Sequence, residues 1–212
     1  MRKLLLAFFI VCSCQLVFAP NIKVERELTA IQQGIKNQIL MLLEEPEERE
    51  RETELLQDLN MEHLFGVEER QKIEQIAIQL GLQTDWIYLI IHKESRGNSK
   101  AVNKHSGATG LIQFLPKTAK SLGTTTTELL EMTTLEQLDY VEKYFKRVSE
   151  KYDINNHVEL YLSVFYPKAM GKHDSYVIGS KGSRVVSLNK GIDINKDGII
   201  TVSDFKKFAY YN

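Results

Sequence analysis

The chain has 212 residues, is 43% hydrophobic and 26% charged, and carries a formal net charge of -1. This composition is ordinary for a soluble globular protein and leaves room for one sizeable core with smaller appendages. A nucleic-acid binder would carry a basic excess, so no nucleic-acid partner is expected.

Residues 1–19 read as an export signal. Met1-Arg2-Lys3 is followed by the apolar run Leu4 to Val11 and then by small and polar residues. Ser13 and Gln15 interrupt the run, which is too short for a membrane span. Two processing routes stay open. Cleavage after Ala19 has suitable residues before the cut but Pro20 after it, whereas "VCSC" resembles a lipoprotein site that would acylate Cys14 and attach the chain to a membrane. Both cysteines, Cys12 and Cys14, lie in this leader, so the remainder has no disulfide or thiol chemistry.

Residues 20–65 form an expected helical and acidic linker. Val24, Leu28, Ile31, Ile35, Ile39 and Leu42 recur at helical spacing, then Pro46 interrupts and Glu44 to Glu54 is strongly acidic. A spacer and a partner-binding helix both fit this pattern.

From Val67 the pattern tightens into the expected main domain, 66–175. Ile73, Ile76, Ala77 and Leu80 make one helix face, and Gly81 is placed to stop it. Thr84 or Asp85 would cap a helix over Trp86–Ser95. Residues 96–110 are too rich in Gly, Asn and Ser to be regular. Pro116 opens a short helix ending at Gly123, and capping boxes pair Thr125 with Glu128 and Thr133 with Glu136. The second box opens a helix whose Leu135, Leu138, Val141, Phe145, Val148 and Tyr152 share a face. Val158–Phe165 is a further helix stopped by Pro167, and residues 176–191 supply one or two short strands. The fold class is mainly α, with minimal sheet.

One position breaks the helical rule. Ile87, Ile90 and Ile91 form an apolar stripe, and the next place on it is Glu94. Burial there would disfavour the ionised carboxylate and keep it protonated near neutral pH, the state a general acid needs. A surface glutamate at a helix exit explains the spacing equally well. Downstream, "SGATGLIQF" (Ser106 to Phe114) has two glycines that let backbone approach a ligand, and Gln113 offers an amide that donates and accepts.

Glu94-Ser95, then "AVNKHSGATGLIQFLPKTAKSLGTT" and "EQLDYVEKYF", resemble lytic transglycosylases of the lysozyme-like superfamily, most closely the phage and prophage group. The resemblance spans roughly residues 67 to 170. It implies a lysozyme-like (α+β) catalytic domain acting on the glycan strands of peptidoglycan, with Glu94 as sole acid/base. It places Ser95, Ser106, Gly110, Leu111, Ile112 and Gln113 along the glycan groove, Ser95 orienting the glutamate or the sugar. No cofactor is needed for that chemistry. The product would be a 1,6-anhydromuramyl end, with a hydrolytic muramidase or a non-catalytic glycan-binding module as alternatives. The protein would be exported to the envelope, in the periplasm or as a lipoprotein, or associated with a virion if phage-encoded. One motif departs: where many members carry A-Y-N, this chain has "LYLSVFYPKAMGK", and Tyr161 and Tyr166 both become candidates for the tyrosine role.

The tail, 176–212, holds a metal-loop signature. In "DINKDGIITVSD", Asp193, Asn195 and Asp197 occupy positions 1, 3 and 5, Gly198 position 6 and Asp204 position 12. That is an EF-hand pattern, with the Ile199 carbonyl and Thr201 as further oxygen donors. Asp204 stands where Glu is usual and has a shorter reach. The preceding "VVSLNKG" reads as extended, and no second loop is available for pairing. A structural Ca2+ clip is therefore expected rather than a sensor.

Overall fold

Apolar side chains repeating every three or four residues have one economical solution, which is to bury their stripes against each other. The computed structural model describes residues 61–211 and Gln32, so the leader, Cys14 and, Gln32 apart, the expected helix over 22–43 lie outside the described residues. A 3-10 turn at Met61–Leu64 leads into α1 (Val67–Leu80), which buries Ile73, Ile76 and Ala77. Gly81 adopts φ 65° after its last turn. Its N–H donates to the Ile78 carbonyl while Leu82 N–H reaches Ala77 O at 2.9 Å, a Schellman stop.

α2 (Thr84–Ser95) starts two residues before the expected Trp86, with Gln83 at the N-cap and no side-chain cap bond. Thr84 and Asp85 are therefore not the cap. Asp85 falls in the first turn, where its charge meets the positive end of the helix dipole. Trp86, Ile87, Leu89, Ile90 and Ile91 of α2 are buried.

After the irregular residues 96–115 come α3 (Pro116–Ser121), with Pro116 in its first turn, and α4 (Thr126–Glu131). α5 spans Thr134–Ser149 and buries Leu138, Val141, Phe145 and Val148. Both expected capping boxes are formed, Thr125 with Glu128 and Thr133 with Glu136. α6 (His157–Phe165) is capped by Asn156, whose side chain accepts the Glu159 N–H at 2.9 Å. α1 packs on α5 and on α2, and α2 packs on α6, so the glutamate-bearing helix sits between two others.

The tail departs from expectation once. One strand, β1 (Val177–Gly179), falls within 176–191 as expected, and its antiparallel partner is β2 (Ile200–Thr201) further along. Between them, the stretch expected to be extended contains the helix α7 (Arg184–Leu188), with Ser183 Oγ accepting the Val186 N–H. α8 (Val202–Tyr211) follows and packs on α6. Ile178, Ile192, Ile200, Val202, Phe205 and Ala209 are buried in the same cluster as the side chains of α1, α2, α5 and α6. Among the described residues no helix is long and apolar enough to cross a membrane.

Because the tail fills the common core, truncation after Ser175 would expose the apolar surface it covers. Each fully buried Ile, Val or Phe is worth about 1.5–3 kcal/mol. The truncated chain is expected to lose its cooperative thermal transition or to aggregate on expression. A melting temperature within ~2 °C of the full chain would contradict the shared core.

Candidate functional site

Glu94 sits in the last turn of α2, directly past the fully buried Ile87, Ile90 and Ile91. Burial pushes its carboxyl up to about 7, and desolvation is the whole cause. Among the described residues no cation pairs with it. Glu94 and its helix neighbours His92 and Lys93 are half-buried by surface exposure. Burial holds the Lys93 ammonium and, with the Arg96 and Lys93 charges, the His92 imidazole below their ordinary values.

Two tyrosines feel the Glu94 charge. Burial first, and Glu94 second, push the Tyr144 hydroxyl up to about 12 and raise that of Tyr161 further. Tyr161 lies on α6 and is the one of the two expected candidates so placed. Tyr166 ends that helix, half-buried, its N–H on the Leu162 carbonyl at 2.8 Å. Tyr144, on α5, was not among the expected site residues. Its hydroxyl donates to Ser163 O at 2.5 Å, and its ring meets Phe114 edge-on with centroids 6.4 Å apart. It thus ties α5 to α6 and to the loop residue Phe114. A sequence signal existed, because Tyr144 stands three residues after Val141 and four before Val148, on the buried face.

Ser95 binds the loop to the helix. Its hydroxyl donates to Leu111 O at 2.8 Å and to Ile91 O at 3.1 Å. The loop itself is closed by paired backbone bonds, Thr109 N–H to Phe114 O at 3.0 Å and Phe114 N–H to Thr109 O at 2.9 Å. Inside that closure Gly110 has φ 83° and Gln113 φ 51°. Gln113 Nε2 donates to Gly110 O at 3.1 Å and Ala101 O at 3.3 Å, so this amide nitrogen shapes the loop. The Leu111 and Ile112 side chains belong to the core, and Ser106 lies in an exposed tip where its Oγ accepts the Ala108 N–H at 3.2 Å.

The residue that fixes this loop is Gln137 of α5, fully buried and absent from the sequence expectations. Its Oε1 accepts Leu111 N–H at 3.0 Å, and its Nε2 donates to Ser99 O at 2.7 Å and Leu129 O at 2.6 Å. A Cβ on Gly110 would lie 2.4 Å from Gln137 Oε1, so a glycine is required there by space as well as by backbone angle. The amide holds three segments in register around the end of α2.

In the tail loop, Gly198 has φ 84°, as the sharp turn at position 6 requires. Asp193 Oδ2 accepts Gly198 N–H at 2.9 Å, while Asp193 Oδ1 is buried and receives no hydrogen bond. Asn195 Oδ1 accepts Asp197 N–H at 3.1 Å, and Asp197 Oδ1 accepts Ile199 N–H at 2.7 Å. Thr201 and Asp204 cap α8 reciprocally, Asp204 N–H on Thr201 Oγ1 at 3.2 Å and Thr201 N–H on Asp204 Oδ2 at 2.9 Å. Among the described residues no three His, Cys, Asp or Glu side chains converge as a ready metal cluster. The EF-hand donor set, however, counts amide and backbone oxygens beside carboxylates, and an unpaired buried carboxylate oxygen at position 1 fits that set.

Replacing Gln137 by Leu would strand the Leu111 N–H and the Ser99 and Leu129 carbonyls. At about 1–3 kcal/mol per buried unsatisfied group the loss should be roughly 3 kcal/mol or more. Thermal unfolding is then expected roughly 6–12 °C lower. A shift under ~2 °C would remove Gln137 from this role.

Residues 71–158, which contain Glu94, Ser95, the Gly110–Gln113 loop, Gln137 and Tyr144, match the family model of the Transglycosylase SLT domain. Over these residues the helical unit around Glu94 is therefore similar to a transglycosylase domain.

Proposed function

We propose that this protein is a peptidoglycan lytic transglycosylase with Glu94 as its single acid/base. The observation that carries the reading is a carboxyl held near 7 by burial alone, within the matched domain. Two-carboxylate glycosidases need a second Asp or Glu at a defined separation; Glu128 and Glu136 are taken up by helix caps, and Asp139 and Glu142 by Lys72.

Protonated Glu94 gives its proton to the glycosidic oxygen between N-acetylmuramic acid and N-acetylglucosamine. The muramyl C1–O bond breaks, and the N-acetylglucosamine 4-hydroxyl leaves with that proton. The Glu94 carboxylate then takes the proton of the muramyl 6-hydroxyl, whose oxygen bonds to C1 and closes the 1,6-anhydro ring. No water is consumed, and Glu94 ends protonated as it began. Tyr161 and Tyr144 keep the carboxyl's surroundings apolar, and their raised hydroxyls stay neutral donors throughout. Ser95 fixes the loop carrying Gly110 and Gln113 beside the acid.

The ordered motifs support a phage or prophage type, and the leader supports export to the envelope. Attachment there would run through Cys14 if it is acylated.

Glu94→Gln removes the proton but keeps size and hydrogen bonding. It is expected to lower glycan-cleaving activity at least ~100-fold without lowering the melting temperature. Mass spectrometry of muropeptides released by the native chain should show anhydromuramyl ends; reducing ends would instead establish a hydrolase. Because the acid form initiates the reaction, the rate should fall as pH rises through about 7. Full activity in Glu94→Gln would refute the assignment.

A further inference from the structure

We propose that the loop from Asp193 to Asp204 binds one calcium ion, and that the ion steadies α8 where it backs the wall of the Glu94 site. The donors would be Asp193, Asn195 and Asp197 side chains with the Ile199 carbonyl. Thr201 and Asp204 already serve as the reciprocal cap of α8, so Asp204 joins as a single-oxygen donor at most.

Three features carry the assignment. The loop has a net charge of -2 from three aspartates and Lys196, and its order of oxygen donors matches a twelve-residue calcium loop. Asp193 Oδ1 is shielded from solvent with no hydrogen-bond donor, although its sister oxygen faces into the loop toward Gly198. A buried carboxylate oxygen without a partner costs free energy, and a cation at that point removes the cost. The loop is also fixed at both ends before any ion arrives. Ile192 is anchored in the core, and Ile200–Thr201 pairs with Val177–Gly179. The strand β1 takes the place that a second calcium loop would otherwise fill.

The consequence reaches the site. α8 begins inside the loop, and its Phe205 ring stacks on Phe165 at 5.0 Å and lies 5.2 Å from the Tyr161 ring. Phe208 of the same helix lies 6.0 Å from the Lys93 ammonium, next to Glu94, and Lys93 is 5.9 Å from the Tyr161 ring centroid. Ordering the start of α8 therefore steadies the tyrosine that feels the Glu94 charge. This last step rests on the proposed role of Glu94; the binding of the ion does not.

Isothermal titration of CaCl2 into the native chain stripped with EDTA should give a stoichiometry of one, with Kd on the order of 10⁻⁴–10⁻³ M. Calcium at 10–100 times that value should raise the melting temperature by roughly 3–10 °C. Asp193→Asn and Asp197→Asn should each abolish the heat and the shift, and MgCl2 should give a smaller shift. No heat and no shift in the native chain, or an equal shift in both variants, would overturn the site. Hydrogen exchange of the calcium-loaded chain tests the coupling without using activity. Slowed exchange in residues 157–165 as well as 202–211 supports it, and slowing confined to the loop overturns it.

Discussion

A carboxyl at the end of an apolar stripe is costly to ionise, and the arrangement of this domain follows from keeping Glu94 in that position. Its raised value has one cause, burial, with no neighbouring charge to compensate. The helix α2 supplies the apolar floor through Ile87, Ile90 and Ile91, packed against α1 and α6. The wall is aromatic: Tyr144 from α5 and Tyr161 from α6, each responding to the Glu94 charge. Removing water raises the proton affinity of the carboxyl and strengthens any polar contact made there.

The loop tied to α2 through Ser95 is irregular, and its shape depends on polar atoms buried beneath it. Gln137 makes three hydrogen bonds to it and its flanks, and Ser95 adds a fourth from the glutamate-bearing helix. Such a fully satisfied network holds irregular backbone in one conformation better than apolar packing does, because each bond is directional. Gly110 is the place where this geometry meets the backbone, since no side chain fits between it and Gln137.

What could be read from sequence was local. Both capping boxes, the Gly81 stop and the Pro116 start depend on residues within four positions, and all four are present. The mainly helical class followed from the same periods. Arg184–Leu188 escaped because Val185 and Val186 favour extended backbone; packing against β1, where a Cβ on Gly179 would meet both valines, overrides that preference. Gln137 and Tyr144 escaped for a different reason. Each is a polar residue on a buried helix face, and its partners lie 8, 26 and 38 residues away for Gln137 and 19 for Tyr144. Glu94 was visible as a break in the period, yet only its order with the downstream glycines separated it from a surface glutamate. The tail's metal signature was legible as a motif, whereas the pairing of its strand with Val177–Gly179 and the docking of Phe205 beside Tyr161 are tertiary facts.

Burial keeps about half of Glu94 protonated at neutral pH. Carbon-13 NMR of the side-chain carboxyl, assigned by its loss in Glu94→Gln, measures this without substrate. The titration midpoint is expected at about 7. A midpoint near the ordinary glutamate value of about 4.3 would contradict it, because the group would then be an exposed carboxylate with no proton to give.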